Sequence, residues 1–170
     1  MRVFKSWDKI KPADVLTRRT FLYRSVLASA MLTTPSWGKE GSVGATKIGA
    51  VKSLLEFQVA MRSASLRNRV ALIDVGADWC EFCAILDSQI LTDGRITAAL
   101  STFALIRVDV TSMDDEARTL LSHLSVDGPP TLFVVETRSG REFAYTRSVG
   151  PINAEQLEET LRRVKLRVGG

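Results

Sequence analysis

The chain has 170 residues, 45% of them hydrophobic and 25% charged, enough for one globular domain with a buried core and a short extension, with nothing that calls for a second domain. Its net charge of +4 is local, since residues 1–45 hold eight Lys/Arg against three Asp/Glu and residues 46–170 hold fifteen basic and sixteen acidic residues. The basic balance therefore lends no support to nucleic-acid binding, and two cysteines are too few for a disulfide-stapled miniprotein or a four-cysteine zinc site.

Residues 1–45 read as a leader. Thr17-Arg18-Arg19-Thr20-Phe21-Leu22 precedes a short apolar stretch, Val26-Leu27-Ala28-Ser29-Ala30-Met31-Leu32, and then a loose region with Pro35, Gly38, Gly41 and Gly44. Basic, apolar and small-polar regions in that order match a secretory signal, and the arginine pair followed by Phe-Leu resembles a twin-arginine signal. Arg24 keeps the apolar stretch well short of the roughly 18–20 residues of a membrane span, so cleavage is expected in place of stable insertion. Val43-Gly44-Ala45 has the small residues of a cleavage site and would release a chain starting at Thr46, although Ala28-Ser29-Ala30 fits the same rule. An untranslocated basic arm is the alternative. The expected division is a leader over 1–45 and a single domain over 46–170.

In the domain, Val51, Leu54, Leu55, Val59 and Met61 recur at near-helical spacing and predict a helix from about Ala50 to Ser65. Val70 to Val75 is an apolar run broken only by Asp74, as a central strand covered on both faces would be. A helix is expected from Cys80 to about Leu91, with Phe82, Ile85, Leu86 and Ile90 as its apolar stripe and Thr92-Asp93-Gly94 as its stop. A short helix over Ile96 to Leu100, a buried strand over Phe103 to Val110 and a helix over Asp114 to Leu124 follow. After Gly128-Pro129-Pro130-Thr131, the runs Leu132 to Val135 and Phe143 to Val149 read as an antiparallel hairpin about Thr137-Arg138-Ser139-Gly140. A last helix over Asn153 to Val168 carries the capping-box pair Asn153 and Gln156.

Both cysteines lie three positions apart in Ala77-Asp78-Trp79-Cys80-Glu81-Phe82-Cys83, where a strand feeds a helix. A sulfur at a helix start faces unsatisfied backbone N–H groups and the positive end of the helix dipole, which favour a thiolate. Such a setting lowers a cysteine pKa from about 8.5 to roughly 3.5–7.5. Cys80 is the expected nucleophile, forming a mixed disulfide with a partner, and Cys83, one turn on, resolves it and leaves a Cys80–Cys83 bridge. Two inert buried thiols are the alternative. Asp74, six residues before Cys80 in an apolar strand, should be costly to bury and should have a raised pKa. Asp87 follows Cys83 by four positions and shares its helix face, as a second acid near that thiol or as an ordinary solvated carboxylate. Glu81 and Phe82 fill the dipeptide between the cysteines, where the charge of Glu81 opposes thiolate formation and pushes the couple toward a reductant. Trp79 is expected to pack beside the pair and shield it, with core packing as the rival. His123 has no second histidine to join it, which favours a surface residue over a metal ligand.

Trp79-Cys80-x-x-Cys83 after a strand, Gly128-x-Pro130-Thr131 before a hairpin and a closing helix resemble the motif set of the thioredoxin fold, over about 120 residues from Val51 to Val168. The resemblance implies an α/β architecture, a central mixed β-sheet flanked by helices on both faces. Within that superfamily the strings ADWC, RVDVT and LSVDGPPTLFVV are similar to the C-terminal periplasmic domain of the thiol:disulfide interchange protein DsbD. That likeness implies an exported periplasmic protein-disulfide reductase with no bound cofactor or metal, re-reduced by a membrane electron donor and acting on periplasmic thiol/disulfide proteins. It further implies that Asp74 relays the Cys83 proton, and that Pro130 is a cis proline facing the sulfurs and shaping a substrate groove with Trp79. Pro129 departs from the common pattern, because it offers no N–H to a partner backbone. Three other functions stay open: an oxidase or isomerase using the same cysteines, a Cu(I)-handling module of two soft thiolates, and a noncatalytic interaction domain.

Overall fold

In the computed structural model, which describes residues 46–169, the apolar run that begins at Val70 is a strand buried at every position. The leader expected over residues 1–45 lies outside the described residues. In chain order the elements are β1 (Thr46–Val51), α1 (Leu54–Ser65), β2 (Val70–Gly76), α2 (Glu81–Ile85) running into a π turn (Leu86–Ile90), α3 (Gly94–Leu100), β3 (Phe103–Asp109), α4 (Asp115–Leu124), β4 (Thr131–Glu136), β5 (Ser148–Val149) and α5 (Ala154–Val168).

One five-stranded sheet of order β1-β3-β2-β4-β5 organises them. β1 and β2 run parallel to β3, and β4 runs antiparallel to both β2 and β5. Alternation along the strands divides the core in two. Ala71, Ile73, Val75, Ala104, Ile106, Val108, Phe133 and Val135 face α1 and α4, meeting Phe57, Met61, Leu120 and Leu124. The intervening Val70, Leu72, Phe103, Leu105, Leu132 and Val134 face the π turn, α3 and α5, meeting Leu86, Ile96, Leu100, Leu157 and Leu161. This is the mixed sheet with helices on both faces that the sequence implies.

Five expectations need correction. Residues 46–51 form an edge strand, so the first helix starts at Leu54 and not near Ala50. Its buried face is Phe57, Ala60, Met61 and Ala64, whereas Leu55 and Val59 are exposed. The helix after the cysteines widens into the π turn, where Leu91 N–H donates to the Leu86 carbonyl at 2.8 Å. Its expected stripe is only half covered, with Leu86 buried and Phe82 and Ile85 exposed. The second hairpin strand shrinks to Ser148–Val149 plus an isolated bridge between Val135 and Glu142. Between them Tyr145 adopts a φ of 64°, which interrupts extended backbone.

A two-residue strand needs other support, and Arg147 supplies it. Its guanidinium pairs with Glu142 at 2.5 Å, donates to the Leu124 and Ser125 carbonyls at 3.2 and 3.3 Å, and stacks 4.2 Å over the Phe133 ring. A cation over the carbonyl end of α4 also complements the helix dipole. α5 begins with the expected capping box, Asn153 Oδ1 accepting the Gln156 N–H at 2.9 Å and Gln156 Oε1 accepting the Asn153 N–H at 3.2 Å.

Candidate redox site

β2 ends at Gly76, and Ala77 to Trp79 carry the chain round to the start of α2. Thr111 holds this turn: its Oγ1 accepts the Asp78 N–H at 2.9 Å, and its carbonyl accepts the Trp79 indole N–H at 3.1 Å. Asp109 in turn accepts from the Thr111 N–H at 2.9 Å and hydroxyl at 2.5 Å, and pairs with Lys52 at 3.4 Å. Burial pushes the Asp109 carboxyl up, but the Thr111 and Lys52 contacts outweigh it and hold it below its ordinary value. Trp79 is therefore fixed by its N–H while 58% exposed, so its indole is a surface feature of the site and no part of the core.

Cys80 is the N-cap of α2, in extended backbone, and its sulfur accepts the Cys83 N–H at 3.2 Å. Cys80 and Cys83 are joined in a disulfide, with Cα atoms 5.2 Å apart. Both are buried, Cys80 (7% exposed) less completely than Cys83 (1%). Attack by or on an outside group is thus easier at Cys80, and Cys83 is placed to react within the chain. Glu81 and Phe82, between them, are both exposed.

The Pro129–Pro130 peptide bond is cis. Register places it at the same end of the sheet, because Val75 of β2 pairs with Thr131 of β4. The Thr131 hydroxyl donates to the Gly128 carbonyl at 2.7 Å, and the Gly150 N–H donates to the Pro130 carbonyl at 2.9 Å. Gly150 has a φ of 86°, which a side chain would oppose. Pro130, Phe82, Ile85, Pro151 and Ile152 line one crevice beside the cysteines. Pro129 is half-buried in the same loop.

Asp74 is 1% exposed in the middle of the sheet. Burial pushes its carboxyl up to about 6, the nearby positive charge of Arg107 pulls it down, and the negative charge of Asp87 pushes it up. Arg107 of β3 pairs with Asp74 in register; its Nη1 lies 3.5 Å from Asp74 Oδ2 and hydrogen-bonds to Asp87 Oδ1. Asp87, in the π turn, is thus a half-buried ion-pair member and no free solvated carboxylate. Desolvation works against the charge of Arg107, yet the bond to Asp87 and the fields of Asp74 and Asp87 outweigh it and raise its pKa. Arg107, Thr111 and Asp109 were not legible as site residues. The available signal was an arginine inside the apolar run Phe103 to Val110, directly comparable with Asp74 inside the other one.

His123 sits half-buried in the last turn of α4, deeper than an exposed surface histidine, and burial holds its pKa below the ordinary value. Among the described residues no group of three or more His, Cys, Asp and Glu side chains could hold a metal ion.

Residues 53–137, half the chain, match the thioredoxin-like family. The chain belongs to that family. Similar curated relatives include the thiol:disulfide interchange proteins DsbD 1 of Pseudomonas aeruginosa, 33% identical over 112 residues and 66% of this chain, and DsbD of Ralstonia nicotianae, 35% identical over 113 residues and 66% of this chain. The match spans only 19% and 18% of those two proteins. Among solved structures, the oxidised DsbD C-terminal domain of Neisseria meningitidis superposes with a TM-score of 0.60 at 23% identity, covering 68% of this chain and 98% of that one. That likeness concerns the fold. A thioredoxin-like chain with a Cys-x-x-Cys disulfide at the start of α2 has the pair of sulfurs that thiol–disulfide exchange requires.

Proposed function

We propose that this thioredoxin-like protein is an exported protein-disulfide reductase, working in the periplasm on thiol/disulfide partner proteins and re-reduced by a membrane electron donor. The observation that carries the reading is the Cys80–Cys83 disulfide at the N-terminus of α2, with Cys80 the more accessible sulfur. In the reduced form, the Cys80 thiolate attacks a partner disulfide. The partner's S–S bond breaks, one partner sulfur leaves as a thiolate, and the other is held on Cys80. Cys83 gives its proton to Asp74 and attacks the Cys80 sulfur, which restores the bridge and releases the second partner thiolate. Two electrons have then passed to the partner.

Three features support the reading, and the second of them its direction. The DsbD relatives are named as interchange proteins. Glu81 puts negative charge beside Cys80, which disfavours accumulation of the thiolate form and makes the dithiol the better donor. The crevice beside Pro130, edged by the exposed Phe82 and Ile85, gives an extended partner segment an apolar seat. Pro129 removes one backbone donor from that seat, so partner pairing there relies on side-chain contacts more than on a ladder. Export by the twin-arginine route with cleavage before Thr46 completes the proposal. No cofactor beyond the cysteine pair is required.

The reduction potential of the Cys80–Cys83 pair, equilibrated against glutathione and dithiothreitol buffers, tests the direction. A value near or below thioredoxin's roughly −270 mV is expected, and one near the roughly −120 mV of a strong oxidant would reverse it. Cys83→Ala should hold partners on Cys80 as mixed disulfides in the exported fraction, and a clean absence of adducts would exclude the mechanism.

A further inference from the structure

Trp79 adjoins Cys80 in the chain and spends its one polar atom inside the protein. An indole has a single donor and no acceptor. That donor goes to the Thr111 carbonyl at 3.1 Å, while 58% of the residue stays exposed. The ring is therefore presented to solvent and held at the same time. It also stands outside the crevice of Pro130, Phe82 and Ile85. Sheet order explains the separation, because β2, which feeds the cysteine turn, has β4 on one side and β3 on the other. The crevice lies toward β4, and Trp79 leans on the loop that leaves β3.

That loop is built as a fixed support. The Val110 N–H donates to the Gly76 carbonyl at 3.0 Å, which carries the pairing of β2 and β3 one step past the strand, and the Met113 N–H donates to the Val110 carbonyl at 3.1 Å. Asp114 ends the loop as the N-cap of α4, accepting the Ala117 N–H at 2.8 Å. Within this frame Asp109 sets Thr111. Its Oδ1 accepts the Thr111 N–H at 2.9 Å and the hydroxyl at 2.5 Å, and its Oδ2 pairs with Lys52 at 3.4 Å. A carboxyl held below its ordinary pKa is ionised and can only accept. The Thr111 hydroxyl must then give its proton to Asp109, which turns a lone pair toward the Asp78 N–H, 2.9 Å away. One side chain on β3 thus orders, through Thr111, both the turn before Cys80 and the indole beside it.

We propose that Asp109 and Thr111 are positioning residues for partner binding, holding the Trp79 indole as a preset docking contact on the β3 side of Cys80. Its occupant is the polypeptide flanking the disulfide under attack, which a small disulfide does not supply. The inference rests on the reading of the cysteine pair as a protein-disulfide reductase. A partner that meets a ring already tied in place loses less side-chain freedom on binding than one that meets a mobile ring. Aromatic anchors of this kind carry a large share of the energy in protein interfaces.

The test uses the reduced full chain and two disulfides, oxidised glutathione and insulin. Single-turnover rates are measured against concentration, so that half-saturation and limiting rate are read separately. In the full chain carrying Trp7→Phe and Trp37→Phe, Trp79 is the sole tryptophan, and the decay of its fluorescence anisotropy reports how firmly the ring is held. Thr111→Val and Asp109→Ala should each lower the ratio of insulin to glutathione reactivity about fivefold, through half-saturation for insulin. Both should also give Trp79 a fast anisotropy decay that the parent lacks. Asp109→Asn, whose amide oxygen still accepts from Thr111, and Thr111→Ser, which keeps the hydroxyl, should restore both readouts. Trp79→Phe keeps an exposed ring and removes its N–H, so it should lower the ratio too, and it keeps the test decisive if a Thr111 or Asp109 variant does not fold. In a Trp79→Ala background, Thr111→Val should change the ratio no further. A parent ratio in both Trp79→Phe and Thr111→Val, or a Thr111→Val effect undiminished in Trp79→Ala, would overturn the proposal, as would a parent that reduces glutathione but not insulin. Failure to react with either disulfide would overturn the reductase reading instead.

Discussion

The two faces of the sheet are drawn from alternate residues of the same strands, and they part company at the end that carries the cysteines. Toward α1 and α4, Ala71, Ile73 and Val75 continue without a polar side chain, as do Ala104, Ile106 and Val108. Toward the π turn, α3 and α5, Leu72 gives way to Asp74 and Leu105 to Arg107, with Asp87 closing over them. One face buries hydrocarbon to the strand ends. The other gives up part of that burial for a carboxylate whose pKa burial pushes up to about 6 and for the arginine paired with it. The ionisable cluster is thus set apart from the apolar face by a period of two along the same strands, whereas Cys80 and Cys83 pack with the apolar face.

The difference can be broken from either side. Phe133→Ala on the apolar face should cost about 3–5 kcal/mol, since the ring is wholly buried and the Arg147 stack is lost with it. Denaturant titrations at pH 5 and pH 8 should give the same loss. Asp74 behaves otherwise. Its folded pKa of about 6 lies above the unfolded value of 3.8, so its contribution is fully present below about pH 4 and is lost as pH rises through 6. The parent should accordingly lose about 3 kcal/mol of stability from this group between about pH 4 and pH 7. Asp74→Asn should flatten that slope while slowing disulfide exchange, and an unchanged slope would mean that the carboxylate is not desolvated. Asn153→Ala, at the cap of the helix that covers the second face, should cost only about 1 kcal/mol. Because it touches no ionisable group of the cluster, its thermal-unfolding shift should be independent of pH.

Much of this arrangement is legible in the sequence where burial is complete. β2, β3 and β4 announce themselves as apolar runs, and α4 and α5 by their periodicity and caps. β1 escapes because it is an edge strand with alternately exposed polar and small residues, whose last residues Ala50 and Val51 extend the apolar pattern of the following helix. The buried face of α1 is misjudged for a related reason: Ala60 and Ala64 are small enough to let the helix approach the sheet, while the larger Leu55 and Val59 stay outside. Nothing in Leu86 to Ile90 separates a π turn from an α-helical one, since both use the same residues and differ only in which carbonyl each N–H meets. At the site, Cys80, Cys83 and Asp74 are visible because each is a residue type out of keeping with its surroundings, and Pro130 through its resemblance to the family motif. Arg107 is equally out of keeping, but its meaning depends on strand register, which brings it opposite Asp74, with its guanidinium reaching toward Gly76.

The Cys80 sulfur that caps α2 has one more consequence. The Cys83 amide is tied to a neutral disulfide sulfur in the oxidised protein, and reduction would present the same amide with a thiolate, a stronger acceptor. The first turn of the helix is then a gauge of oxidation state written into the main chain.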